Sequence, residues 1–166
     1  MSLIDIVRLH RIDMPLVRPF RTSFGTQEAR DVLLVEIVSE GVSGWAECVA
    51  MEWPGYSAEY VDGAVDVLVE HLIPAVTADR VLDPDEVHRR LRRFQGHPMA
   101  KASLETAVLD AWLRQRGQSL ADYLGAVRDE VDCGVSVGIP SSISALLDEV
   151  ASYVDAGYRR IKLKIE

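Results

Sequence analysis

Lys162 and Lys164 are the side chains of this sequence whose type and spacing best suit chemistry. They lie in the closing stretch Arg159-Arg160-Ile161-Lys162-Leu163-Lys164-Ile165-Glu166, which alternates throughout. Ile161, Leu163 and Ile165 fall on one face of a strand, and Arg160, Lys162 and Lys164 on the other. Side chains two apart on a strand stand roughly 6.5–7 Å apart on the same side. Two ammonium groups there can reach two points of one small anion. The same pattern fits a half-buried strand with its charged face in water, and spacing alone leaves both readings open.

The elements before the strand narrow the choice. Val131 to Ile139 reads as a strand carrying Gly134 and Gly138, where something can approach the backbone closely. Pro140, Ser141 and Ser142 lead into a helix with Ile143, Leu146, Leu147, Val150, Tyr153 and Val154 on one face. Gly157 sits where a left-handed cap belongs. This is a βαβ unit, so strands 131–139 and 159–165 are expected to be parallel with a right-handed crossover. Parallel sheets are covered on both faces. The lysine face then points into a barrel interior or toward a second layer, where an ammonium needs a partner or a task. Ile161, Leu163 and Ile165 are expected to face the helix layer.

Residues 1–125 read differently. Residues 3–13 alternate as a strand, and Pro15 and Pro19 are expected to stop it, since neither can donate to a ladder. Residues 21–26 follow as a loop, and Phe24 on it, with Phe20 just before it, either packs on the core or forms a lid over a ligand. Strands at Asp31–Val38 and Gly44–Ala50, joined by Glu40-Gly41 turn chemistry, complete an antiparallel meander. Met51 to Tyr56 form a second loop. From Ser57, read as a helix cap, the period becomes 3.6: Val61, Ala64, Val65, Leu68, Val69, Leu72 and Ile73 share a face until Pro74 closes it. Asp83-Pro84 opens a second helix, broken at Gly96-His97-Pro98. Met99 to Arg116 form a long helix whose Leu104, Ala107, Val108, Ala111 and Trp112 make the buried stripe, its alanines allowing close approach of another element. Gly117 ends it, and Ser119 caps a short helix. Strands followed by helices define an α+β unit.

The totals exclude several classes. With 18 basic against 26 acidic residues the net charge is -8, and no sustained basic run exists, so nucleic acid is not an expected partner. The cluster His88, Arg89, Arg90, Arg92 and Arg93 reads as the wet face of a helix. No apolar run nears the ~18 residues of a membrane span, and the first residues lack a signal peptide's basic and apolar regions. Cys48 and Cys133 stand far apart and read as free thiols in a reducing compartment. Cytoplasmic residence is the expectation. His10, His71, His88 and His97 show no metal-ligand spacing.

The order of meander, helices and a barrel opening with Lys-x-Lys on its second strand resembles the enolase superfamily, muconate-lactonizing branch. Within it, the chain is similar to the o-succinylbenzoate synthase / N-acylamino acid racemase group. The stretches that carry the likeness are Met14 to Gly25, Gly44 to Cys48, Gly96 to Glu105 with Asp110, Cys133 to Ile139 and Tyr158 to Ile165. The implied fold is an α+β capping domain (three-stranded antiparallel meander plus helices), residues 1–130. The first βαβ of a (β/α)7β TIM-like barrel follows in 131–166. The implied chemistry is removal of a proton next to a carboxylate, with Mg²⁺ stabilising the enolate, a known device of this superfamily. By position Lys164 resembles the base and Lys162 the cation that holds the carboxylate. A lysine base must lose its proton more readily than usual, and a second ammonium two residues away works in that direction. Phe20, Phe24, Met51 and Tyr56 match the two loops that cover the ligand, and Ser136 faces the site.

The family's metal carboxylates lie on later barrel strands, so no metal ligand is expected within these residues, and Glu47 and Asp110 are not candidates. A full barrel needs about 250 residues. This predicts that the chain is the N-terminal portion of something longer and is inactive alone. The expected activity is Mg²⁺-dependent o-succinylbenzoate synthesis in menaquinone formation. The alternative is N-acylamino acid racemisation at the same site, and a third reading, of another class, is an inactive module that associates through its open barrel edge. The expected partners are a small-molecule carboxylate and further copies of the chain, with no nucleic acid and no membrane.

Overall fold

A computed structural model describes residues 2–23 and 25–164. Two compact units emerge. One comprises Met1–Met14 with Arg30–Gly125, and the other Pro15–Ala29 with Ala126–Glu166. The expected boundary at 130 took the chain in order, whereas residues 15–29 group with the later segment.

A three-stranded sheet runs in the order β1 (Ile6–Thr22), β2 (Gly25–Ser39), β3 (Val42–Cys48), and its residues 6–14, 30–39 and 42–48 belong to the first unit. β2 and β3 are antiparallel, from Leu33↔Cys48 to Ser39↔Val42. Their turn is the two residues Glu40 (φ +50°) and Gly41 (φ +80°), the positive-φ pair that matches strand twist. Pro15 and Pro19 do not stop β1, contrary to expectation. β1 is an edge strand, where a missing N–H can face away from the only neighbour. The expected 21–26 loop is correspondingly reduced: Arg21 and Thr22 belong to β1, and β2 begins at Gly25, six residues before the apolar run that marked it.

Alternation then sets the core. Leu33, Val35 and Ile37 of β2 are buried on one face, together with residues of the helices. The helices are α1 (Val61–Val67), a π turn (Leu68–Leu72), α2 (Ile73–Thr77), α3 (Pro84–Leu91), α4 (Pro98–Gln115) and α5 (Leu120–Leu124). Pro74 lies in the first turn of α2 and does not end the helical run. The wide π turn directly before it makes room for a ring that would clash in a regular helix. Ser57 does not cap α1: its hydroxyl donates to Glu59 O at 2.9 Å, and Tyr60 holds the N-cap position with no side-chain bond. Asp83 and Ser119 do cap, accepting from Glu86 N and Asp122 N.

The alanine stripe of α4 works as expected. Gly44 of β3 lies against it so closely that an added methyl would sit 2.6 Å from the Ala111 side chain, with the α4 backbone nearer still. The arginine cluster is only partly a wet face. Arg90 bonds Glu86, Asp79 and the Ala75 carbonyl, tying α3 to α2.

In the second unit, β4 (Val135–Val137) and β5 (Ile161–Leu163) pair in parallel around α6 (Ile143–Asp155). Ser142 caps α6 through Ala145 N at 3.1 Å. Gly157 (φ +90°) ends it, with Tyr158 N donating to Tyr153 O and Gly157 N to Val154 O, a Schellman closure. Both strands are shorter than the 131–139 and 159–165 expected. The apolar strand face is covered only in part: Val137, in register with Leu163, is buried and Ile161 half-buried, while Leu163 itself stays open. Leu163 is 46% exposed, as are Ile143, Leu147 and Val154 of α6 at 57% or more. Among the described residues, Val137 is the one side chain of this unit that is fully buried.

Candidate functional site

Parallel pairing sets Ser136 of β4 beside Lys162 of β5. Residues in register project to the same side of a sheet, so a hydroxyl and an ammonium share one face. Lys162 is exposed and has no hydrogen-bond or ion-pair partner among the described residues. Lys164, the residue after β5, is half-buried, and its ammonium stands 4.8 Å from the centroid of the Phe20 ring. That is cation–π distance. Phe20 comes from the far end of β1. The strand end is held by Ile139 N donating to Arg21 O at 3.2 Å. Gly138 permits this: a Cβ there would lie 3.3 Å from Arg21 O and 3.7 Å from the Phe20 ring. The close approach expected at Gly134 and Gly138 is, at Gly138, the approach of this end of β1.

The second unit thus brings Phe20 to Lys164 and Ser136 to Lys162. Phe24 and Ile165 lie outside the described residues. Met51 and Tyr56 belong to the first unit, on a loop closed at its base by a Met51↔Tyr60 bridge and by Val61 N donating to Met51 O at 2.9 Å. Its middle is open to solvent, with Trp53 58% and Tyr56 73% exposed.

Two features escape sequence reasoning. Glu59, at the end of that loop, places its carboxylate on the N-terminus of α4. Its two oxygens accept from Met99 N at 2.8 and 3.1 Å and from Ala100 N at 3.1 Å. His97 holds the N-cap position in a left-handed backbone without a side-chain bond, so the anion this helix end favours comes from Glu59, 40 residues before Met99. The absence of Ser, Thr, Asp or Asn before Pro98 was the only hint. The second is Glu36, a carboxylate in the apolar run of β2. Arg8 donates to it at 3.0 Å, His10 at 3.1 Å and Ser43 at 2.8 Å. The Arg8 bond foremost, then Ser43, pulls its carboxyl down to about 2 against the upward push of burial, with His10 adding to the pull. It binds both outer strands to the middle one. A charge interrupting an otherwise apolar strand was the available signal.

Among the described residues no three His, Cys, Asp or Glu side chains gather where they could hold a metal ion. Cys48 is buried and Cys133 exposed, both free. No helix among the described residues is long and apolar enough to cross a membrane.

A three-stranded sheet covered by helices, followed by the β4–α6–β5 opening of a barrel-like domain, defines a class of capping fold. Residues 5–125 match the family described as mandelate racemase / muconate lactonizing enzyme, N-terminal domain. The chain belongs to that family, and with it to the enolase superfamily. It is 56% identical over 160 residues to an N-succinylamino acid racemase of an Amycolatopsis species, covering 96% of this chain and 44% of that protein. It is 40% identical over 164 residues to an o-succinylbenzoate synthase of Geobacillus stearothermophilus, covering 98% and 44%. Among solved structures, an enolase-superfamily member from Listeria innocua superposes with a TM-score of 0.90 at 36% identity, over 99% of this chain and 45% of that one. The chain therefore spans less than half the length of the curated relatives it matches.

Proposed function

We propose that these residues serve an enzyme that removes the proton α to a carboxylate, and that the substrate is an N-acyl amino acid, specifically an N-succinyl one, racemised at that carbon. The observation that carries this reading is the 56% identity to an N-succinylamino acid racemase across 96% of the chain. In it the amine of Lys164 takes the α-proton, and the C–H electron pair moves into the enolate. The ammonium of Lys162 holds the substrate carboxylate and offsets the charge that develops there. Ser136, beside Lys162, donates a hydrogen bond to the same group. Phe20 and Phe24, and on the other loop Met51 and Tyr56, cover the substrate and exclude water. Racemisation further requires an acid across the α-carbon from Lys164 to return a proton to the opposite face. The likeness to the superfamily supports a magnesium ion at the site. The described residues offer no ligand set for it, and each step above uses this chain's own side chains. Residues 1–130 act as the cap and 131–166 as the start of the catalytic barrel, in a cytoplasmic homo-oligomer.

A second reading, o-succinylbenzoate synthesis, is favoured by relatives of that name at 36–41% identity. There Lys164 takes the α-proton and returns it to the departing hydroxyl, so one group suffices. The test is made on the protein that carries these residues. Deuterium incorporation at the α-carbon of an N-succinyl amino acid in heavy water is compared with formation of 2-succinylbenzoate. Faster exchange supports the racemase; faster dehydration supports the synthase; neither reaction in the unmodified protein rejects both.

A further inference from the structure

The end of β1 is fastened to α6 by contacts that the proposed chemistry does not use. Arg18 precedes Phe20 by two residues on β1, so both project to the same side of the strand. Its Nη2 donates to Glu149 Oε1 at 2.9 Å and to the Tyr153 hydroxyl at 2.6 Å. That hydroxyl donates onward to Glu149 Oε1 at 3.4 Å. Glu149 and Tyr153 are one turn apart on α6. The Tyr153 ring is set edge-on against Tyr158, centroids 5.6 Å apart at 88°, and Tyr158 is itself fixed by the Schellman closure. The three polar groups therefore form a closed triangle on a braced helix, and the strand that enters it carries Phe20 to the Lys164 ammonium.

We propose that Arg18, Glu149 and Tyr153 form a latch that positions Phe20 over Lys164, which makes them positioning residues for the proton-transfer site; the role of that site rests on the reading of Lys164 as the base. The chemistry suits a reversible device. Arg18 keeps 68% of its side chain in solvent, while Glu149 keeps 25%. An ion pair so exposed is weak alone, so the strand end can release and re-engage as substrate enters and product leaves. Tyr153 adds direction: its hydroxyl accepts from the guanidinium and donates to the carboxylate, which fits this order of charges and would not fit two like ones.

The test reads Lys164 directly. The protein is treated briefly with acetic anhydride, and acetylation of each lysine is followed by mass spectrometry. Arg18→Leu, and the milder Tyr153→Phe, are expected to raise the rate at Lys164 about two- to fivefold, the range a half-exposed pair supports. Phe20→Ala is expected to do the same, with Lys101 and Lys162 unchanged. The exchange Arg18→Glu with Glu149→Arg is expected to return Lys164 toward its original rate. An unchanged Lys164 rate in both Arg18→Leu and Tyr153→Phe overturns the latch. In turnover the same variants raise KM more than they lower kcat; intact KM with faster labelling overturns the positioning role. If the unmodified protein exchanges no α-proton, the functional reading fails while labelling still decides the latch.

Discussion

Lys162 and Lys164 are alike in type and differ in surroundings, since one lies open beside Ser136 and the other against an aromatic ring. Their substitutions are expected to differ accordingly. Lys164→Ala removes the proposed base and should lower α-proton exchange by about 10²–10⁴-fold, the range of general-base catalysis; retention of more than a few per cent would refute the assignment. Lys162→Met removes binding charge and should raise KM as well as lower kcat, which steady-state kinetics separates. Glu36 poses a different question. Its carboxyl is held at about 2, below the roughly 4.3 of an unfolded chain. A depressed carboxyl stabilises the fold above the unfolded value, and that contribution disappears as pH falls from about 4.3 toward about 2. Glu36→Gln should therefore lower the urea midpoint at pH 7, and the difference from the unmodified protein should shrink at pH 3. Alternation in the sequence predicts the two lysines on one face of a strand, and β5 ends at Leu163, one residue short of Lys164. Glu36's partners were not legible, because Arg8, His10 and Ser43 meet it only once three strands are in register.

Among the elements, helices declared themselves by period and strands by alternation, yet three prolines misled. At Pro15, Pro19 and Pro74 the rule that proline breaks structure gave way to context: an edge strand at the first two and a π turn at the third. The edge position is set by the whole sheet, and no residue type in Leu68–Leu72 announces the π turn. The cap on α4 is similar, since Glu59 reaches it from another element. Glu59→Ala should cost about 1 kcal/mol, as loss of a helix cap does, and should loosen the 51–60 loop whose base it shares; thermal unfolding with and without the substitution checks the first. Gly44 gives a sharper expectation. Any side chain there meets the α4 backbone, so Gly44→Ala should destabilise by about 3 kcal/mol through overpacking. An unchanged midpoint in urea would show that sheet and helix are not packed this closely in solution.

For the whole molecule, sequence order and spatial grouping part company. The meander, the helices and the βαβ unit were all readable in order, but residues 15–29 group with a segment more than a hundred residues later. No periodicity encodes such a pairing. The exposed apolar residues of the second unit, Ile143, Leu147, Val154 and Leu163, predict that the 166-residue chain self-associates. Sedimentation at rising concentration should give masses above 18.4 kDa, and Leu147→Lys should reduce the effect.

The reach of the Arg18–Glu149 contact, 131 residues along the chain, also sets an order of events during synthesis. Ribosomes add roughly 5–20 residues per second, so the tip of the first hairpin waits about 7–26 s for the helix that will hold it. For that interval an edge strand carrying Met14, Val17 and Phe20 has its neighbour β2 and nothing at its far end. Its two prolines and four arginines (Arg8, Arg11, Arg18 and Arg21) are the features that discourage a passing strand from pairing with it. The same prolines that obscured the strand in the sequence thus guard the nascent chain until its partner arrives.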